Sequence, residues 1–279
     1  MGIVSIQSHV VYGYVGNKAA VYPLQSMGYD VWPVNTVQFS SHTGYKNWRG
    51  DVFSRQHIKE VITGIESLGI LHKCQGIISG YMGSSETCLE VMETVKRFKA
   101  QNSKIIYLCD PVMGNINCFV KPEIIEFFKT NLSADIITPN QFEAETLANL
   151  KINNLNDLKR VAEYFHNLDI AVVVITGVKI ISNDHYYIFV SDGMNQHLIA
   201  TKEYDFEIPP NGTGDLFSAV FLGSYLETKN ALAAAKTAAF YMNLVVKNSF
   251  DTKNRELQVL STIYDKIANH DIESTDINK

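Results

Sequence analysis

Five residues in the C-terminal third, Asn211-Gly212-Thr213-Gly214-Asp215, run straight into an apolar stretch, Leu216-Phe217-Ser218-Ala219-Val220. Two glycines allow a tight turn and a close backbone approach to a ligand. A helix starting there presents unpaired N–H groups and a partial positive charge, which suits a phosphate. Asp215 is then an odd neighbour, because a carboxylate repels an anion. Its chemistry would be that of a base, removing the proton from a hydroxyl that attacks phosphorus. The plainer alternative is that Thr213 or Asp215 only caps the helix, and G-x-G-D alone does not separate the two.

Two more acidic positions follow predicted strands. Cys109-Asp110-Pro111-Val112-Met113-Gly114 begins at a strand end, where α/β sheets gather ligands. Asp110 there can approach a nucleotide's phosphates or a cation, or it can simply open an Asp-Pro turn. Asn140-Gln141-Phe142-Glu143 opens a helix after another strand, which puts Asn140 and Glu143 on one helix face. A carboxylate beside an amide suits Mg2+ held largely through water. The same pair is close to a capping box, and in isolation the cap is the stronger reading. There is no G-x-x-x-x-G-K-[ST], no G-x-S-x-G, no H-E-x-x-H and no early strand-linked G-x-G-x-x-G, so P-loop, nucleophile-elbow, zincin and N-terminal dinucleotide-binding chemistry are unsupported.

The elements that must position these residues alternate along the chain. Short β-branched runs at 3–6, 31–35, 76–80, 104–109, 135–138 and 170–176 read as strands. Helical patterns at 18–27, 55–68, 85–99, 123–130, 140–148 and 155–168 lie between them. Strands without a polar face, alternating with helices, predict a mostly parallel sheet covered on both sides. Residues 186–190 and 197–200 read as an antiparallel pair around Asp192-Gly193, followed by helices at 213–225, 231–247 and 254–268 and a polar, frayed tail at 269–279. Residues 36–51 are polar-aromatic and irregular, which marks either a binding flap or a plain surface excursion. No linker interrupts the pattern, so 1–279 reads as a single domain.

Composition narrows the partners. The 279 residues carry 24 Lys+Arg against 29 Asp+Glu, a net charge of −5 without a basic block, which argues against nucleic acid. No apolar run reaches the length of a membrane span, and the opening MGIVSIQSH has no signal-peptide core. The 4 cysteines form no CxxC and the 8 histidines show no metal spacing. A cytoplasmic protein with reduced thiols is the expectation.

Further blocks stand in order along the chain: Gln7-Ser8-His9-Val10-Val11-Tyr12-Gly13 with Val15-Gly16-Asn17; Trp32 to Ser40 (WPVNTVQFS) with His42-Thr43; and Ser79-Gly80-Tyr81-Met82-Gly83-Ser84. With the Asp110 block, Thr138-Pro139-Asn140 plus Glu143, and Gly212-Thr213-Gly214-Asp215, they resemble the pyridoxal kinases of the ribokinase-like superfamily, closest to the bacterial PdxY-type branch. The resemblance runs from about Ile3 through Ala268. It implies a three-layer α/β/α sandwich and an ATP-dependent phosphorylation of the 5′-hydroxymethyl group of pyridoxal. Asp215 would be the base, with the amides of Gly212, Thr213 and Gly214 beside it stabilising the transferring phosphoryl group. Ser8 would bond the pyridine ring, and Thr43, Gly44 and Tyr81 would line the substrate pocket. Asp110, Thr138, Glu143 and Thr176 would face ATP and its cations, with Ile208, Pro209, Pro210 and Asn211 along the nucleotide. Mg2+, held by Glu143 and Asp110 partly through water, a monovalent cation such as K+, and a homodimer are also implied. Two other readings stand beside it: a kinase of a related substrate such as hydroxymethylpyrimidine or several B6 vitamers, and a vitamer-binding protein without catalysis.

Overall fold

The computed structural model describes residues 1–181 and 185–260, and the backbone of Ser274–Asp276. The strands are β1 (Gly2–Val10), β2 (Asp30–Phe39), β3 (Gly50–Val52), β4 (Cys74–Ser79), β5 (Ile106–Cys109), β6 (Ile136–Ile137), β7 (Val172–Val178), β8 (His185–Ser191), β9 (Gln196–Lys202) and β10 (Ser274–Asp276). The helices are α1 (Asn17–Ser26), α2 (Arg55–Ser67), α3 (Ser85–Gln101), α4 (Pro122–Asn131), α5 (Gln141–Ala148), α6 (Leu155–His166), α7 (Thr213–Thr228) and α8 (Ala231–Asp251). The strands form one sheet in the order β10-β9-β8-β7-β6-β5-β4-β1-β2-β3. The run from β7 to β2 is parallel; β3 closes one edge antiparallel, and β8, β9 and β10 extend the other.

The period of two along each strand decides which layer a side chain joins. Val4, Ile6, Ile77, Tyr107, Cys109, Ile137, Val173 and Ile175 face the core under α2 to α6. Their neighbours Ile3, Ile78, Leu108, Ile136, Val172 and Val174 face α1, α7 and α8. Both faces are therefore apolar, as the continuous β-branched runs require. Helix α7 is buried from Leu216 through Ser224, because it lies in that second layer with α8 and α1 packed on it and has no polar stripe to offer water. Among the described residues, no helix is long and apolar enough to cross a membrane.

The chain leaves β1 for β2 on one side and returns to β4 on the other. Strand order reverses there, and in open α/β sheets the crevice at the carboxyl ends beside such a reversal collects ligands. Register carries the strand ends to a common level: Ile6 pairs with Ser79, and Ser79 with Cys109.

Three sequence expectations need correction. The irregular stretch 36–51 is strand at both ends, since Val37, Gln38 and Phe39 pair with Val52, Asp51 and Gly50; only 40–49 is a loop. The predicted helix 254–268 is not helical through 260, and its remainder lies outside the described residues. Leu257 and Val259 both enter the core beneath α8, an i, i+2 pattern that extended backbone satisfies and a helix does not. The predicted frayed tail contributes β10, where Ser274, Thr275 and Asp276 pair with Ile199, Leu198 and His197; 269–273 and 277–279 lie outside the described residues.

Candidate active site

The turn before α7 is built on Gly212, the N-cap, at φ 92°. A side chain there would be strained by the backbone alone, and a Cβ would come within 1.8 Å of the Tyr14 carbonyl oxygen. Leu216 N–H donates to the Gly212 carbonyl (3.0 Å) and closes the first helical turn. Asp215 sits in that turn, half-buried, and accepts a backbone hydrogen bond from Gly16. Burial pushes its carboxyl up to about 6, with the Gly16 bond pulling the other way. Gly16 in turn lies against Ser8: a Cβ on it would meet the Ser8 carbonyl oxygen at 2.1 Å and Oγ at 2.4 Å. Asp215 and Ser8 are thus joined through one glycine.

Ser218, three residues on, faces the strand ends with Asp215. Its hydroxyl donates to Asp110 Oδ2 (3.1 Å) and meets Thr138 Oγ1 at 2.8 Å. Asp110 directly follows β5, is only 4% exposed, and lies close enough that a Cβ on Gly214 would stand 3.7 Å from its Oδ2. Burial holds the Asp110 carboxyl well above the usual carboxylate range, and the charges of Glu143 and Asp215 push the same way. Glu143, also buried, accepts from Met113 N–H (2.8 Å) and Gly114 N–H (3.3 Å) on Oε1 and from Asn140 N–H (2.9 Å) on Oε2. Asn140 Oδ1 accepts from Glu143 N–H, completing a capping box, and its amide donates to the Gly114 carbonyl at 2.7 Å. The cap is real, and it does a second job by holding the 113–114 loop. Burial lifts Glu143 to about 7 against those bonds. Thr176 joins the group through Thr176 N–H to the Pro139 carbonyl (2.9 Å).

The sheet's carboxyl edge therefore brings Ser8, Asp110, Thr138 and Glu143 toward the Gly212, Thr213, Gly214 and Asp215 turn, with Thr176 tied to the 139–140 backbone beside them. Tyr81 follows β4, half-buried, with its carbonyl accepting from Thr36 Oγ1 (2.6 Å) and its ring 6.5 Å from Phe119. Thr43 is exposed on the 40–49 loop. Gly44 reaches the turn before α7: a Cβ on it would lie 3.6 Å from Asn211 Nδ2, and Asn211 Nδ2 stands 3.4 Å from His42 Nδ1. Asn211 thus touches the flap rather than standing only on the nucleotide side. Ile208 and Pro209 are exposed beyond β9, and Pro210 is half-buried.

Two polar clusters escaped the sequence reading. Asn17, 2% exposed, accepts from Ser5 Oγ (2.7 Å) and donates to the Val34 carbonyl (3.2 Å) and Asn35 Oδ1 (2.8 Å). It staples the start of α1 to β1 and β2 and so fixes the 13–16 loop. In the sequence it stood in the Val15-Gly16-Asn17 block without a role of its own. Glu256 gathers His42, Tyr45 and Tyr14 across more than 200 residues of chain, and no local pattern announces that.

A glycine turn at a helix start beside a base and two buried carboxylates can bind an anionic group, accept a proton and hold a hard cation. On a three-layer α/β/α sheet this is the arrangement of a small-molecule kinase of the ribokinase-like fold. Comparison with known proteins agrees. The sequence profile described as phosphomethylpyrimidine kinase matches residues 66–259. Pyridoxal kinase PdxY of Photobacterium profundum is 38% identical over 93% of this chain and 91% of its own, and that of Corynebacterium diphtheriae is 37% identical over 94% of each. Pyridoxal kinase from Leishmania donovani, solved with ADP and pyridoxamine, superposes with a TM-score of 0.90 at 27% identity, over 99% of this chain and 98% of that one. The chain belongs to the PdxY-type pyridoxal kinases.

Proposed function

We propose that the protein is an ATP-dependent pyridoxal kinase, transferring the γ-phosphoryl group to the 5′-hydroxymethyl oxygen of pyridoxal. The observation that carries this reading is the approach of the Gly214 backbone to Asp110 with Asp215 in the same turn. One step of chain joins the phosphate cradle, the base and the cation side. The acceptor's oxygen–phosphorus bond forms as the bond from the γ-phosphorus to ADP breaks, and the hydroxyl proton passes to the Asp215 carboxylate. A base whose pKa is lifted to about 6 is still largely ionised at neutral pH and takes the proton more readily than an ordinary Asp. The amides at the start of α7 face the charge that develops on the phosphoryl oxygens. Ser8 lies behind Gly16 within reach of a ring held next to Asp215, with Tyr81 and the 40–49 loop covering the ring and excluding water.

The donor set fits Mg2+. Asp110 and Glu143 are buried hard-oxygen donors that raise one another's affinity for positive charge. Both Glu143 oxygens already accept backbone N–H groups, so Glu143 would reach the ion through water and Asp110 would stand nearer. Bound there, Mg2+ would neutralise the nucleotide's phosphates. Thr138 and Thr176 line the same edge. We extend to this chain the homodimer that the resemblance implies, which light scattering tests.

The test is ADP release from ATP and Mg2+, with and without K+, in the presence of pyridoxal, pyridoxine, pyridoxamine or hydroxymethylpyrimidine. Pyridoxal-dependent turnover that vanishes in Asp215→Ala is the expected result. Preference for hydroxymethylpyrimidine would move the substrate and keep the mechanism; pyridoxal binding without ADP release would remove the kinase.

A further inference from the structure

The segment after α8 carries a carboxylate that bonds to neither the sheet nor the helices. Glu256 is 3% exposed, and its hydrogen-bond donors come from the N-terminal loops. Tyr45 Oη donates to Oε1 (2.7 Å), His42 Nε2 lies 3.2 Å from the same oxygen, and Tyr14 N–H donates to Oε2 (3.2 Å). Gly13, at φ +95°, leaves no room for a side chain there, since a Cβ would stand 2.3 Å from Oε2. Burial alone would raise this carboxyl, and these bonds together outweigh it and lower the carboxyl from its ordinary value. Arg255 adds a second clasp, with its guanidinium 3.8 Å over the Tyr45 ring and a bond of 2.9 Å to the Gly44 carbonyl.

The neighbours of His42 settle its proton. Gly44 N–H approaches Nδ1 at 3.2 Å, and a backbone N–H can only donate, so Nδ1 is the acceptor. The hydrogen then sits on Nε2 and points at Glu256. Two arms leave this one carboxylate. One runs through His42 Nδ1 to Asn211 and Gly44. The other runs through Tyr14, whose carbonyl packs against Gly212. Both arms end at the phosphate turn, and the first passes through the flap.

We propose that Glu256 is a positioning residue: it sets the acceptor flap, His42 to Tyr45, in register with the Asn211 to Gly214 turn, and so governs capture of the acceptor rather than of ATP. This rests on the kinase reading above. A merely structural anchor would lower stability and leave the two substrates' affinities in proportion. A positioning role separates them.

The experiment compares wild type with Glu256→Gln, Glu256→Ala, Glu256→Asp and Tyr45→Phe, measuring KM for pyridoxal and for ATP, and amide hydrogen exchange across 40–49. Loss of a charge-assisted bond from a buried carboxylate should raise the pyridoxal KM about tenfold or more, with the ATP KM moving less than about twofold. Glu256→Asp should recover part of that rise. Tyr45→Phe, which deletes one hydroxyl and leaves the fold intact, should raise the pyridoxal KM less. It should add little on top of Glu256→Gln, because the two act on one contact. Exchange across 40–49 should speed up in Glu256→Gln without any substrate present. Unchanged exchange, or a pyridoxal KM that stays at the wild-type value or rises only in step with that of ATP, would overturn the proposal. A wild type without pyridoxal-dependent turnover sinks the kinase reading instead, and calorimetric affinities for pyridoxal and ATP in wild type and Glu256→Gln then make the same comparison in place of KM.

Discussion

The Cα of Gly212 faces the carbonyl oxygen of Tyr14 so closely that a Cβ would stand 1.8 Å from it. Two loops separated by most of the chain share one backbone contact, which only glycine permits. Gly212→Ala meets both a left-handed φ of 92° and a backbone atom that cannot swing away. The substitution should cost at least about 1–3 kcal/mol of stability and, by displacing the amides at the start of α7, lower kcat by roughly a hundredfold or more. Thermal melting and steady-state kinetics on one preparation check both; normal kinetics would remove the phosphate cradle from this turn.

Asp215→Asn keeps the shape of the turn and removes the carboxylate proposed as the base. Turnover should fall by about 10²–10⁴-fold, with ATP binding, measured by calorimetry, nearly unchanged. The wild-type kcat/KM should depend on pH with the sign of a base: level above about 6, falling tenfold per unit below it as the carboxylate takes up a proton. That acid limb should be absent from the residual activity of Asp215→Asn.

Glu143 ties stability to pH. Its pKa is raised from 4.5 to about 7 in the folded chain, so between those values the native state holds a proton that the unfolded chain releases. Stability of the substrate-free protein therefore falls as pH rises through that window, and the raised carboxyls of Asp110 and Asp215 add in the same direction. Urea unfolding at a series of pH values measures this slope, and Mg2+ with ATP should flatten it. Glu143→Gln turns an amide N–H₂ toward backbone donors and should cost about 1–3 kcal/mol, while the slope becomes shallower. A steeper slope in the variant would contradict the assignment.

Ser218→Ala removes the hydroxyl that bridges Thr138 and Asp110. That bond favours the ionised Asp110, so its loss moves the Asp110 carboxyl further upward. Stability should drop by roughly 1 kcal/mol, and half-saturation for Mg2+ should shift to higher concentration, more on the acid side of the Asp110 titration than on its alkaline side. An equal shift at both would mean that Asp110 is not the cation's partner.

Much of this was legible in the sequence because it is local. The continuous β-branched strand at 170–176, the glycine-led helix after 212 and the N-cap at Asn140 depend on residues within a few positions of one another, and each element formed within a few residues of its predicted bounds. The stretch 254–260 failed for the same reason. Its polar residues, Asn254, Arg255, Glu256 and Gln258, separate Leu257 and Val259 in a way that fits either a helix or an extended strap, and packing into the apolar layer with α8 decided between them.

The sequence by itself determined the layers of the molecule and the types of residue at its phosphate turn, since periodicity and glycine placement act along the chain. Only the tertiary structure decided which carboxylates meet, that Glu143 Oε1 accepts from the 113–114 loop while Oε2 accepts from Asn140, and that Glu256 closes on His42, Tyr45 and Tyr14. Those outcomes follow from strand order and register. These bring distant residues within hydrogen-bonding distance and remove the water that would screen them, and neither effect is encoded in local spacing.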